Sequence, residues 1–194
     1  MRNLILTLLT SILVIAPTFA LADKATFAGG CFWCVESDFQ DLDGVISAVS
    51  GFTGGTLKKP TYRGNHEGHY ESVEIEFDPE IISYAELLHI YWRSIDPFDS
   101  RGQFCDKGFE YQSAIFVHDD EQRKLAESTK AEVMKQFPDQ QVATVILDSG
   151  DFWPVAEYHQ DYYKKNPIRY NLYRKGCGRD KRVKQIWGDE ASKH

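Results

Sequence analysis

Hydrophobic and polar positions alternate strictly through Val73-Glu74-Ile75-Glu76-Phe77-Asp78, the period of a strand with one face buried. Pro79 ends it. Ser83 with Glu86 three residues on is a capping box, and the helix it starts carries Leu87, Leu88 and Tyr91 on one face. Upstream, Lys24–Ala28 reads as a short strand. Gly29-Gly30 turns the chain, and a helix runs from Cys31 to about Gln40. Val45–Phe52, rich in Val, Ile and Ser and closed by Gly54-Gly55, reads as a second strand. A long loop over 96–111 carries Gly102 and Gly108, and loops of that length in a compact domain are often functional. Ala114–Val117 is a strand, Asp119 to about Phe137 a helix, and Val142–Leu147 another strand. The order β-α-β-β-α-β, followed by a further helix and strand, predicts a ferredoxin-like α/β (α+β) plait. Its sheet is mixed and mostly antiparallel, with helices packed on it.

The N-terminus breaks this pattern. Met1-Arg2-Asn3 brings one positive charge, Leu4–Ala16 is an uncharged apolar run, and Ala20-Leu21-Ala22 is an Ala-x-Ala cleavage pattern. Residues 1–22 read as a secretory signal peptide, the apolar run being short for a membrane span of about 20 residues. The expectation is export, to a bacterial periplasm, of a single domain over 23–194 with a C-terminal tail and without stable membrane insertion.

Twenty-two Lys and Arg against 29 Asp and Glu give a formal net charge of −7. That balance argues against nucleic acid as a partner. Four cysteines are too few for a disulfide scaffold, so their chemistry is the question.

Cys31 stands where the first strand turns into the first helix, in Gly29-Gly30-Cys31-Phe32-Trp33-Cys34. Free amides and the dipole of a helix N-terminus favour a thiolate, and Phe32 and Trp33 put apolar walls beside it. A zinc site would need two more ligands, and neither Cys105 nor Cys177 belongs to a second C-x-x-C pair. A c-type haem would need His where Val35 stands. A structural disulfide would explain neither the Gly-Gly turn nor the two aromatics. No metal is expected. Strand register supplies a second group: Glu71 shares the apolar face of Val73, Ile75 and Phe77. There it is either a carboxyl whose pKa burial raises, able to give a proton to a developing oxyanion, or a strand-end Glu reaching water. Glu74 and Glu76 fall on the solvated face. A lone histidine is more often a structural hydrogen-bonder, so His69 and His159 receive no chemistry, and the aromatic stretch Tyr158–Tyr173 reads as packing that borders a groove.

Six blocks in order then resemble the A-type peptide-methionine (S)-S-oxide reductase family. They are Gly30-Cys31-Phe32-Trp33, Gly51-Phe52-Thr53-Gly54-Gly55 with Pro60-Thr61-Tyr62, Gly68-His69-Tyr70-Glu71, Asp96-Pro97, Asp106 with Gly108 and Tyr111, and Tyr158-His159-Gln160-Asp161-Tyr162. The resemblance covers about residues 24–170. It implies a mixed α/β plait, Cys31 as the nucleophile on the sulfoxide sulfur, and Phe32 and Trp33 as the cage for the S-methyl group. It implies Glu71 as the acid for the sulfoxide oxygen, Tyr62 and Tyr111 as phenols hydrogen-bonding that oxygen, and Asp106 as an orienting group. It implies reduction of the S-epimer, free or protein-bound, through a sulfenic acid and then a disulfide, as repair of oxidised proteins under oxidative stress. No bound cofactor is implied; an external thioredoxin-like dithiol restores the enzyme, and a monomer is expected.

Position 34 is often small in the family, Asn is common where Cys105 stands, and Lys175-Gly176-Cys177-Gly178-Arg179 replaces the cysteine-bearing tail of some members. The resolving thiol stays open among Cys177, Cys34 and Cys105, in that order. Flanking glycines would make Cys177 mobile, and Arg174, Lys175, Arg179, Lys181 and Arg182 would favour its thiolate. Two rivals remain: a general thiol–disulfide oxidoreductase using Cys31 and Cys34, and an exported binding domain with a structural disulfide.

Overall fold

The structure is a computed structural model that describes residues 22–192. The expected leader, apart from its last residue, lies outside the described residues. The chain runs through β1 (Asp23–Gly29), α1 (Phe32–Phe39), β2 (Val45–Thr53), β3 (Tyr70–Phe77) and α2 (Tyr84–Trp92). A small hairpin of β4 (Gly102–Gln103) and β5 (Asp106–Lys107) follows, then β6 (Ser113–Val117), α3 (Asp120–Gln136), β7 (Val145–Asp148) and β8 (Trp153–Pro154). Three helices close the chain: α4 (Tyr162–Lys165), α5 (Pro167–Cys177) and α6 (Arg179–Trp187).

The main sheet has the order β7-β6-β1-β3-β2-β8. All its neighbours are antiparallel except β6 and β7, which α3 joins as a parallel crossover. The inner four strands, β6-β1-β3-β2, with α1 and α2 form the plait expected from the element order. Ser83 caps α2 in a complete capping box with Glu86.

One sheet face holds the core. Phe27, Val73, Ile75, Phe77 and Ile115 meet Val35 and Phe39 of α1, Leu87, Leu88 and Tyr91 of α2, Val133 of α3 and Trp187 of α6. Phe27 pairs with Val73 on one side and Ile115 on the other, and its ring lies 4.8 Å from that of Tyr91. The opposite face carries a small cluster of Ala28, Tyr70, Ala114 and Phe116, as the two-residue period of β1 and β6 requires.

The C-terminal region differs from the expected tail. The basic run folds into α5 and α6, and Arg174 and Arg179 are buried, 5% and 2% exposed. Arg174 Nη1 donates to Asp38 Oδ1 at 2.7 Å and Arg179 Nη2 to Asp38 Oδ2 at 3.3 Å. Arg179 Nη1 also donates to the Gly29 carbonyl at 2.9 Å. Buried guanidiniums persist only with such partners. This carboxylate on α1 pins α5 and α6 against the first helix of the domain.

Candidate active site

The site starts with a turn that only glycine can make. Gly30 has φ +87°, and a Cβ there would lie 2.7 Å from Gln103 Cβ. Gln103 is itself locked, its amide bonding both the Asp96 amide and the Asp96 carbonyl. The turn delivers Cys31 to the N-cap of α1, where its carbonyl accepts from the amides of Cys34 and Val35.

The first free amide of that helix defines the site. Phe32 N donates to Glu71 Oε2 at 3.1 Å, so the carboxyl of β3 lies one peptide from the Cys31 backbone. Glu71 is 2% exposed, so of the two readings that its register beside Val73 and Ile75 left open it is the buried carboxyl and does not reach water. Burial raises its pKa to about 8; the Phe32 amide opposes this, while the charges of Asp106 and Glu110 add to it.

Around this pair stands an aromatic wall. The Phe32 ring lies 5.9 Å from Tyr62, 5.9 Å from Phe52 and 5.6 Å from His159. Trp33 stacks face to face on Tyr162 at 3.8 Å and donates its indole N–H to His159 Nδ1 at 3.1 Å. Tyr62 and Tyr111 are half-buried. Burial, then the Glu71 charge, pushes the Tyr62 phenol up to about 12 and the Tyr111 phenol up as well. Both are therefore hydrogen-bond donors throughout the neutral range.

The cysteines form two pairs. Cys31 and Cys34 are free thiols, buried and hydrogen-bonded to each other. Burial pushes the Cys31 thiol well up, contrary to the thiolate expected at a helix N-terminus, because desolvation outweighs the helix amides. The hydrogen bond from Cys31, then the charges of Arg179 and Arg174, hold the Cys34 thiol down. Two of the basic residues, Arg174 and Arg179, thus serve Asp38 and Cys34, where the sequence had pointed them at Cys177. Cys105 and Cys177 are joined in a disulfide. Their sulfurs and the Asp106 carboxylate lie within 4.8 Å of one another, but the two sulfurs are bonded together and do not offer a metal two thiolates.

Asp106 reaches the nucleophile through an intermediary. Tyr173 of α5 donates its hydroxyl to Asp106 Oδ2 and shares a hydrogen bond with the Cys31 sulfur. Tyr173 and His159 are site residues that sequence reasoning passed over. The only signal for either was the aromatic stretch Tyr158–Tyr173 and the block around His159. His69, in contrast, is structural as expected: its Nδ1 accepts from the Gly55 amide and its Nε2 meets the Leu57 carbonyl.

Comparison with known proteins agrees with this architecture. The pattern of the peptide methionine sulfoxide reductase family matches residues 23–191. The peptide methionine sulfoxide reductase MsrA of Bacillus licheniformis is 50% identical over 171 residues, covering 86% of this chain and 94% of that protein. MsrA 2 of Caulobacter vibrioides is 46% identical over 196 residues, covering 97% of this chain and 100% of that one. Reduced Mxr1 from Saccharomyces cerevisiae superposes with a TM-score of 0.68 at 29% identity, covering 75% of this chain and 86% of the other. The same yeast protein in complex with Trx2 shares the fold, with a TM-score of 0.53 at 24% identity over 77% of this chain and 91% of that one. Matched by the family pattern over residues 23–191 and 50% identical to one member over 171 residues, the chain belongs to the peptide methionine sulfoxide reductase (MsrA) family, oxidoreductases that reduce methionine sulfoxide.

Proposed function

We propose that Cys31 attacks the sulfur of the S-epimer of methionine sulfoxide while Glu71 gives its proton to the oxygen. The observation that carries this is the Phe32 amide bond to Glu71, which holds a protonated carboxyl beside the nucleophile. Sulfoxide oxygen is a poor leaving group until protonated; protonation makes the sulfur electrophilic. The S-methyl group lies against Phe32 and Trp33, and the oxygen points to Glu71, Tyr62 and Tyr111. A chiral sulfur meets methyl wall, acid and thiol together in only one epimer. Cys34 accepts the Cys31 proton along the bond they share, methionine leaves, and Cys31 becomes a sulfenic acid. Cys34 then condenses with it, releasing water and leaving a Cys31–Cys34 disulfide. Two thiols and one sulfoxide thus become one disulfide, one thioether and one water.

Cys34 is assigned the resolving role because it already touches Cys31, whereas Cys105 and Cys177 occupy each other. A thioredoxin-like dithiol restores the pair, a reading supported by the yeast relative solved with Trx2. Substrates are free and protein-bound methionine sulfoxide, and the activity repairs oxidised proteins. Export to the periplasm rests on the sequence of residues 1–22, and N-terminal sequencing that finds Met1 retained rejects it. The central test uses resolved epimers of N-acetyl-methionine sulfoxide. The S form is consumed and the R form is not, and Cys31→Ser ends turnover; parent-rate reduction by Cys31→Ser overturns the assignment.

A further inference from the structure

We propose that the groove between residues 64–69 and Phe109-Glu110 is a subsite for the substrate polypeptide, and that it selects Arg or Lys flanking the methionine sulfoxide. This rests on the proposed function above and deepens it, since it says which oxidised chains the site takes first. Tyr62 and Tyr111 both feel the Glu71 charge, and Tyr111 feels that of Tyr62, so the two phenols stand close together. From Tyr62 the chain runs on into 64–69, and from Tyr111 it runs back through Glu110 and Phe109. These two segments line one cavity of about 250 Å³. A polypeptide whose sulfoxide lies between the phenols therefore finds this groove beside its neighbouring residues.

The groove is held by its own hydrogen bonds. The amide of Thr61 donates to the Asn65 carbonyl at 3.0 Å, that of His69 to the His66 carbonyl at 3.0 Å and that of Glu67 to Asn65 Oδ1 at 2.9 Å. The His66 ring stacks on Phe52 at 5.1 Å, and Phe52 meets Phe32, so one wall of the groove continues the methyl wall. On the other side Phe109 rests on Tyr70 at 4.6 Å and is still 46% exposed. A rim fixed in this way binds without first ordering its own loops.

Charge selects the occupant. Glu67 and Glu110 line the groove, and among the described residues neither carboxylate has an ion-pair partner. The cations nearby are engaged elsewhere: Lys107 pairs with Asp99, and the Arg63 charge acts on His159. An Arg or Lys lays its alkyl stem along the bare Phe109 ring and brings its cation to the carboxylates. A Glu or Asp in the same place meets two like charges.

Pentapeptides with (S)-methionine sulfoxide at the centre and Lys or Glu on both sides are compared at low salt with dithiothreitol as reductant. N-acetyl-methionine (S)-sulfoxide serves as the substrate without flanking residues. The full chain is expected to favour the Lys peptide about tenfold in kcat/KM, the difference lying in KM. In Glu67→Gln/Glu110→Gln this ratio falls to within about twofold of one. Taking the ratio within one protein cancels any effect of the Glu110 charge on Glu71. Glu80→Gln/Glu121→Gln removes two exposed carboxylates that follow the strand ends Phe77 and Val117, across the sheet from Tyr70. It keeps the parent's ratio, which separates the groove from the chain's net charge of −7. Equal parent kcat/KM on the two peptides, a preference for Glu, or a ratio that survives in the groove variant overturns the subsite. So does a ratio that the distant pair lowers as far as the groove pair does. In each of these cases N-acetyl-methionine (S)-sulfoxide is still reduced, and the proposed function stands. A parent that reduces neither that compound nor the peptides overturns the function and the subsite with it.

Discussion

Glu71→Gln separates what the buried carboxyl does for catalysis from what it costs the fold. The substituted side chain keeps an oxygen for the Phe32 amide but cannot ionise. In the parent, folding raises the carboxyl from its ordinary 4.5 to about 8, so the native state holds this proton more tightly than the unfolded chain. The associated stability is fully present below pH 4.5 and is lost as pH rises towards 8. At about 1.4 kcal/mol per pKa unit, the ionisable side chain costs the native state about 3 kcal/mol at pH 7 relative to a neutral one. Between pH 5 and pH 9 the cost grows by about 4 kcal/mol. Urea unfolding of both proteins, followed by tryptophan fluorescence at pH 5, 7 and 9, measures the gap. The variant is expected to gain on the parent by that amount across the range, while its single-turnover release of methionine falls by about 10²- to 10⁴-fold, the usual worth of a placed general acid. In the parent the same step slows about tenfold from pH 7 to pH 9 as the carboxyl loses its proton. Parallel stability curves, or an unchanged single-turnover rate, refute the reasoning.

Three further outcomes follow from the geometry. Asp38→Asn leaves two buried guanidiniums without their carboxylate; a loss of about 3–5 kcal/mol in urea unfolding is expected, and a loss below about 1 kcal/mol would show that the pairing is not structural. Gly30→Ala meets both the positive φ and the Gln103 side chain; the expected cost is about 1–3 kcal/mol, with kcat falling as Cys31 shifts, and thermal unfolding with single-turnover kinetics reads both. His159→Ala removes the acceptor of the Trp33 indole; loosening the methyl wall by about 1 kcal/mol should raise KM for the sulfoxide about fivefold with kcat little changed, which steady-state kinetics separates.

The plait was legible because its signals are local. The alternation at Val73–Phe77 gave both the strand and the face on which Glu71 lies, and Ser83 with Glu86 gave the start of α2 to the residue. The turn at Gly29-Gly30 likewise carried its own signature, and Cys31 sits where that turn meets the helix. Register put Glu71 on the apolar face, since a strand side chain has only two faces to choose between, but left open whether it is buried there or reaches water at the strand end. The β4–β5 hairpin, two residues to a strand, offered no period to read and remained part of a loop.

The closing helices were illegible for the converse reason: what holds them is non-local. Arg174 and Arg179 look like a solvated basic run beside Cys177, and nothing within several residues says otherwise. Their partner, Asp38, is 136 and 141 positions away. Helix α5 has a polar mean composition and leaves Ile168 and Leu172 exposed, 78% and 70%, so no apolar stripe announces it. Its one inward face brings Tyr170, Tyr173 and Arg174 to the first helix of the plait. The chemistry inherits this division. The thiol and the acid come from β1–α1 and β3, and each could be named from its own segment. The groups that tune them, Tyr173 on Cys31 and the two guanidiniums on Cys34, arrive only when the C-terminal helices dock on Asp38. Docking and tuning of the inner thiol pair are therefore coupled: the guanidiniums that Asp38 holds in place lower the Cys34 thiol, while the Asp38 charge itself opposes them.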